Sequence, residues 1–492
     1  MNKTEILCRF LDCNINIHPS VLGELRQLCS SELDMSRILD ITKRKGTSVV
    51  TQELLDEIKN GNEKKTEVII KGRKKVTAEE YDADIKISRS KDITSKSFTS
   101  GNINNFVKFF NHRYEVLGKV LKNRQALTGS NLIEIVKNHS PSESSIIGIV
   151  NNKKETKRGH ILIELEDPSG ISNALILNRD EDLKKISTEI VTDEIIGLKG
   201  KYGRGLFIVN EIFFPDVPIN REVRKSPDPV VAVLISDVHV GSAKFLDDVF
   251  LRFIKWLRME EGNSSQRELA SKVKYIVIGG DIVDGVGIYP EQKEELVIRD
   301  IHKQYAKFYE YLSMIPDYIE IIITPGNHDA TRQAEPQPAI SEDFVQEYYE
   351  DPRIHMTGNP LTAELHGVRV VSYHGRSLDD IISAIPGMSY TKPAKAMLSL
   401  LKKRHLSPIY GGKVPLAPEN TDYLILEELP EILHMGHVHT FDHLTYRNTL
   451  VINSGTFQSQ TSFQKKVNLQ PTPGKIPVVD LQTLKIVKME FI

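Results

Sequence analysis

Five short segments carry residues able to hold metal ions, and their spacing follows a pattern. Asp237 and His239 stand two apart in Ser236-Asp237-Val238-His239, and His437 and His439 repeat the device in Gly436-His437-Val438-His439. Between them lie Asp281 in Gly280-Asp281-Ile282-Val283-Asp284-Gly285, then Asn327, His328 and Asp329 in Gly326-Asn327-His328-Asp329, and His374 in His374-Gly375-Arg376. Carboxylate, imidazole and amide oxygen suit hard and borderline divalent ions, Mn first and Fe or Zn as well, with no thiol to select a softer one. Two such ions about 3.5–4 Å apart can clamp a phosphate oxygen and activate water for in-line displacement. Each piece alone has an ordinary explanation, since a strand-end Asp caps helices and a lone His is commonly a satisfied core residue. Five pieces together point to phosphoester hydrolysis on two metals. Asp284 reads as a structural turn residue, and Gly280, Gly326 and Gly436 as the points where the backbone turns tightly enough for the side chains to converge.

Such a site needs strands to deliver it. From Val230 to the end, short apolar runs alternate with helical segments, which is the texture of an α/β layered domain with strands buried on both faces. The runs at 230–235, 275–278, 319–323, 368–372, 432–434 and 451–452 each stop at or near a chemistry-bearing segment. In open α/β sheets the functional crevice lies outside the carboxyl ends of the strands. Before this domain (228–492), residues 141–217 read as five short strands with one helix between the third and fourth, the order of an OB-fold barrel. Residues 1–70 read as a small helical domain, with Leu22, Leu25 and Leu28 and then Ile38, Ile41 and Val49 at helical spacing. Residues 71–140 read as a flexible linker, polar and aperiodic from Thr77 to Asn105, followed by an amphipathic helix bearing Phe106, Phe109, Phe110 and Tyr114. The expected fold is therefore multidomain α/β: helical domain, OB-fold β-barrel and C-terminal α/β sandwich.

A chain of 492 residues exceeds a single core, and 40% hydrophobic with 26% charged residues is ordinary for globular protein. A net charge of −2 argues against coating nucleic acid by bulk electrostatics. The basic run from Lys59 to Lys75 is a local exception, read as a solvated linker before a DNA-contacting arm. No run approaches the roughly 20 apolar residues of a membrane span. The three cysteines, Cys8, Cys13 and Cys29, fit free thiols in a reducing cytoplasm, and the N-terminus lacks the pattern of a secretory leader.

With DVHVG, GGDIVDG, GNHD, HG and GHVH in view, the chain from 230 to 492 resembles the calcineurin-like metallophosphoesterase family. The resemblance implies one metal on Asp237, His239 and His439, a second on Asn327, His374 and His437, and Asp281 bridging both. It also implies that His328 sits over the scissile phosphate and assists the leaving oxygen, with Asp329 orienting it through a hydrogen bond. An OB-fold placed before such a domain resembles the small subunits of replicative DNA polymerases. The complete metal set, helical N-terminal domain and segment Gly287-Ile288-Tyr289-Pro290-Glu291-Gln292 are similar to the archaeal family D small-subunit family. That resemblance implies a 3′→5′ exonuclease acting on single-stranded or mismatched 3′ ends of DNA and partnering a large catalytic subunit. Arg376 reads either as a phosphate contact or as a surface ion pair, and Tyr289 as a residue able to stack on a base. The competing readings are a phosphatase or phosphodiesterase on small phosphoesters and a non-catalytic scaffold subunit. Few aromatics on the barrel strands, Phe207 excepted, favour a protein contact there over a single-strand platform.

Overall fold

The computed structural model describes residues 3–13, 15–28, 35, 38–39, 41–42, 49–59, 76–97, 99–139, 143–290, 292–466 and 468–492. These fall into two compact units, Met1–Lys75 and Val76–Ile492. The first is built on helices Lys3–Asp12, Leu22–Leu28 and Gln52–Lys59 around Ile6, Phe10, Val21, Leu25 and Leu55. Val49 is not helical, as its spacing suggested. Val49–Val50 pairs in parallel with Asn16–Ile17, a setting that suits a β-branched pair. The basic run beyond Lys59 lies outside the described residues.

In the second unit, residues read as a linker are structured. Ile85–Ile87 pairs antiparallel with Leu361–Leu365 and forms the edge strand of a six-stranded sheet. Tyr81, Ile85 and Ile87 pack on the sheet core, and the Tyr275 hydroxyl accepts the Asp84 N–H at 2.9 Å. A three-residue strand with one buried face carries too little periodicity to register in a polar stretch. Helix Ile103–Lys122 follows, opened by a reciprocal Asn102–Asn105 capping box. It buries Phe109, Arg113, Leu117 and Leu121, four apart along one stripe.

The strands Glu143–Glu155, Ile161–Asp167, Gly170–Ile176, Ile195–Gly203 and Leu206–Phe213 close into a barrel. The third and fifth strands seal it in parallel, and the helix Glu181–Thr188 connects the third to the fourth. Its interior is filled by Ile146, Val150, Ile163, Leu165, Ile196 and Phe207.

The remainder is a four-layer sandwich. One six-stranded sheet runs Ile354–Met356, Glu320–Thr324, Val273–Gly279, Val231–Ile235, Lys475–Asp480, Ile486–Glu490, its first four strands parallel. The other runs Phe441–Tyr446, Thr449–Ser454, Ile432–Met435, Val368–Tyr373, Leu361–Leu365, Ile85–Ile87. The sheets face each other through Ala232, Leu234, Val277, Ala363, Val370 and Ile452. Helices Asp247–Leu257 and Ile301–Leu312 cover the first sheet, Leu378–Ala384 and Pro393–Lys403 the second. Strands shielded on both faces explain the unbroken apolar runs of the sequence.

Candidate metal centre

The parallel strands point their carboxyl ends at one place, and the candidate ligands stand just beyond them. Val231–Ile235 delivers Asp237 and His239, Val273–Gly279 delivers Asp281, and Glu320–Thr324 delivers Asn327 and His328. From the second sheet, Val368–Tyr373 delivers His374 and Ile432–Met435 delivers His437 and His439. All of these turns leave their strands tightly. Asp237, His239, Asp281, His437 and His439 adopt left-handed backbone, with φ between 52° and 68°. For a residue with a Cβ this costs about 1–3 kcal/mol each and persists only where surroundings enforce it. Here the enforcement is visible: Asp237 N–H donates to Gly280 O at 2.9 Å, His239 N–H to Asp281 O at 3.1 Å, and His437 N–H to the Asp237 carboxylate at 2.9 Å. The glycines act partly otherwise than as turns. Gly280 has φ +92°, but Gly326 is needed for room, since a Cβ there would lie 2.2 Å from Asp281 Oδ1.

The side chains gather into a buried cluster. Ligand atoms of Asp237, His239 and His439 all lie within 4.8 Å of one another, and so do those of Asp237, Asp281 and His374. His239 Nε2 is 3.1 Å from His439 Nε2, and His439 Nε2 is 3.4 Å from Asp237 Oδ1. His374 Nε2 lies 3.0 Å from Asn327 Oδ1 and 3.3 Å from Asp281 Oδ2. The first set is the trio expected for one metal; Asn327, His374 and Asp281 meet as expected for the other. His437 stands outside both groups, its ring 5.3 Å from that of His374.

The far nitrogens of three of these rings fit the group to metal binding, whereas His439 Nδ1 faces the Gln464 side-chain nitrogen at 3.0 Å. A ligating imidazole ordinarily gives its other nitrogen to an oxygen that fixes its tautomer. His374 Nδ1 faces Gly279 O at 2.9 Å, and His437 Nε2 faces Asp379 Oδ2 at 3.2 Å. His239 Nδ1 is 3.1 Å from Asp284 Oδ1, near enough for an ion pair though not aligned as a hydrogen bond. Asp284 is therefore more than the turn residue its sequence position suggested. Gln458 and Gln292 each donate to its carboxylate at 3.0 Å, holding it against His239. Asp379, Gln458 and Gln292 escaped the sequence reading as supports because none has metal-ligand spacing of its own, although Gln292 lies only eight residues from Asp284.

Charge tells the same story. Burial alone would raise the Asp237 pKa, yet His439 opposite holds it down to about 2. Asp281 is likewise pulled well below the usual range, against burial, by His374 and His328. Burial would drive His374 neutral, but Asp281 and Asp237 raise it to about 10. A site that draws a proton onto a fully buried imidazole has surplus negative charge of the kind a cation neutralises.

One expected contact is replaced. Asp329 makes no hydrogen bond to His328 among the described residues. Its Oδ2 accepts the N–H of Gly326 at 2.7 Å and of Asp281 at 2.8 Å, tying the two ligand loops together. Two backbone donors outcompete one ring nitrogen, and His328 Nδ1 pairs instead with Asp284 O at 2.7 Å. His328 Nε2 is left facing a cleft of about 500 Å3, which Tyr289, Arg376, Asp379 and Lys413 also line. Tyr289 stands 6.2 Å from His328 ring to ring, with its hydroxyl on Glu295 at 3.1 Å. Arg376 donates to Gln333 O at 3.0 Å and to its side-chain oxygen at 3.1 Å, and forms no ion pair among the described residues.

Comparison with known proteins assigns this architecture. Residues 232–443 match the family model of the DNA polymerase alpha/epsilon B-subunits. The chain belongs to the DNA polymerase II small-subunit family, the small subunits of archaeal family D. It is 40% identical over 486 residues to the small subunit from Methanothermobacter thermautotrophicus, covering 98% of this chain and 99% of the relative. Identity to the Archaeoglobus fulgidus small subunit is 41% over 474 residues, 96% of this chain and 94% of the relative. A solved archaeal phosphodiesterase aligns over 53% of this chain and 99% of its own, at 12% identity and a TM-score of 0.25, a likeness too slight to argue from.

Proposed function

We propose that the chain is the 3′→5′ exonuclease subunit of a two-subunit DNA polymerase, cutting 3′-terminal phosphodiesters of mismatched or single-stranded DNA and docking the large catalytic subunit. The observation that supports it is the convergence of Asp237, His239, His439, Asp281 and His374 in one buried cluster, in a chain of a polymerase small-subunit family. Two divalent ions, Mn before Fe or Zn, would supply Lewis acidity to the phosphate and acidify the attacking water. Asp237, His239 and His439 would hold one, and Asn327, His374 and His437 the other, with Asp281 between them.

The protein's own residues do the rest. Asp329 holds the Asn327–His328 loop against Asp281. Asp284 O fixes the His328 Nδ1 proton, so Nε2 is the atom that exchanges a proton with the substrate. Protonated there, His328 gives the proton to the departing 3′ oxygen. Burial lowers its pKa, which makes the protonated ring a stronger acid toward that oxygen; the neutral ring left behind takes up a proton from solvent before the next turnover. Unpairing costs least at a mismatch, which favours entry of a frayed 3′ end into the cleft. The barrel, which we read as an OB-fold, suits a protein partner: Phe207 is fully buried inside it and is closed to stacking on bases.

The test compares wild type, His328→Ala and Asp281→Ala on a 3′-mismatched primer–template and on single strands, with manganese. Wild type should shorten both stepwise from the 3′ end. His328→Ala should lose 10²–10⁴-fold in rate, about the usual weight of acid–base catalysis, while still binding manganese. Asp281→Ala should lose both rate and metal. No shortening by wild type, even with the large subunit present, would leave the scaffold or small-phosphoester readings.

A further inference from the structure

We propose that Arg376 and Lys413 form a seat for a second phosphate, one nucleotide along the strand from the diester that is cut, so that the cleft selects a polynucleotide over an isolated phosphodiester. This rests on the nuclease reading above and names how that site recognises its substrate.

Both cations line the cleft that the metal cluster and His328 open into. Arg376 is fixed by a neutral side chain and Lys413 through its backbone. Arg376 is gripped by Gln333, whose side-chain nitrogen in turn donates to Asn327 O at 2.8 Å, so the guanidinium is tied to the loop that carries Asn327 and His328. Lys413 is placed by its backbone: its N–H and that of Val414 donate to the two oxygens of Asp380 at 2.8 and 3.3 Å. Gly412 makes that approach possible, because a Cβ there would stand 2.6 Å from Asp380 Oδ1. The ammonium donates to Ser383 Oγ at 3.3 Å. Among the described residues neither cation forms an ion pair. The carboxylate lining the same wall, Asp379, is turned to His437 Nε2 at 3.2 Å.

Two charged donors that make no ion pair among the described residues, though Asp379 lies near Lys413 and Glu335 near Arg376, stand beside a centre suited to one phosphate and are arranged for a second anion. Arg offers a planar fork and Lys a point charge, both suited to phosphate oxygens. Ile288 and Tyr289, also lining the cleft, offer an apolar and aromatic surface for the base. One cleft thus holds a seat for the cut phosphate, a surface for a base and a seat for the next phosphate. A substrate with a single phosphate fills only the first.

The experiment uses full-length Lys413→Ala, Arg376→Gln and the double variant. Turnover of the trinucleotide pTpTpT and of bis(p-nitrophenyl) phosphate is measured with manganese, and binding of a phosphorothioate single strand is measured against salt. For Lys413→Ala the rise in KM should be about tenfold greater on the trinucleotide than on the single-phosphate ester, as loss of one charge-assisted contact predicts. The slope of log K against log salt should flatten by about 0.7 per cation removed. Lys413→Arg should restore both. Equal losses on the two substrates, or an unchanged salt slope, overturn the second-phosphate seat. Cleavage of the small ester by wild type with neither cleavage nor binding of single strands overturns instead the nuclease reading on which it rests.

Discussion

Each strained residue in the centre is a candidate ligand, and two of them are pinned by another candidate ligand: His239 N–H donates to Asp281 O and His437 N–H to the Asp237 carboxylate. The ligands can stay in left-handed backbone because carbonyls and carboxylates across the crevice leave them no other place. Orientation of the rings depends on the same kind of outer support. Asp379→Ala removes the oxygen that fixes His437, and losses of such partners typically weaken metal affinity about 10–100-fold. Titration of manganese into the variant should show that weakening at one of two sites, with the thermal midpoint of the metal-free protein held. An unchanged affinity would mean that His437 does not ligate through Nδ1. Gly326→Ala should act from the inside: its Cβ would meet Asp281 Oδ1 at 2.2 Å and Asp281 N at 2.6 Å. Loss of bound manganese in a protein that still folds is the expected result, read by metal analysis and circular dichroism. Asp237, His239, Asp281, Asn327, His374, His437 and His439 were legible in the sequence because the motifs advertise donor types at strand ends. Asp379 and the two glutamines were not, since support of this kind is chosen by distance in space and leaves no spacing along the chain.

At the scale of elements, the junction between helix Ile103–Lys122, the barrel and the sandwich turns on one buried cation. Arg113, fully buried, donates to Asp422 at 2.7 Å, to Asp193 O at 2.9 Å and to Pro408 O at 2.7 Å, and its guanidinium lies 5.1 Å from the ring centroids of Phe109 and Phe110. Arg113→Ala takes the cationic partner from buried Asp422 and leaves it only His405 and the Leu424 N–H, so about 3–5 kcal/mol of stability should vanish in urea unfolding. Arg113→Met together with Asp422→Leu should recover much of it, since no charge is then left alone. His405 adds a pH dependence. Its Nε2 meets Asp422 at 2.7 Å while its Nδ1 accepts Ser407 N–H at 3.0 Å, which leaves no nitrogen free for a second proton. Burial first, then Arg113, lowers its pKa. As pH falls below about 6.5 the unfolded chain binds a proton that the fold refuses, so stability drops by up to about 1.4 kcal/mol per pH unit. Asp422, also depressed, adds loss of the same sign below about pH 4. Other histidines titrate in this range, so the measurement is the difference between wild type and His405→Gln, whose profile between pH 7.5 and 5.5 should be flatter. None of this could be read from the sequence, where residues 77–105 read as a linker and Arg113 carried no motif. The strand Ile85–Ile87 shows why: its partner is 276 residues away at Ala363↔Ile87, and pairing at that distance leaves no local period.

For the whole molecule, the alternation of apolar runs and helices fixed the layered half because strands buried on both faces must be apolar throughout. The helical spacing at the N-terminus was a weaker guide, as Val49 showed, because a two-residue strand and a helix turn share the same apolar positions. If the cleft takes DNA as proposed, a net charge of −2 leaves it to do so by local groups such as Arg376 and Lys413 rather than by the overall field. The division into Met1–Lys75 and Val76–Ile492 then makes a prediction about what the proposed nuclease activity needs. All of the ligands, their supports and the strap at Ile85–Ile87 belong to the second unit, and the core of the first is closed on its own side chains. A chain starting at Val76 should therefore keep the thermal midpoint of the larger unit and the rate of full-length protein on single strands, measured side by side with manganese. Aggregation of the shortened chain, or a rate lower by tenfold or more, would show that the first unit completes the fold or the substrate path. Retained rate with weakened binding of the large subunit would place the role of the first unit in assembly.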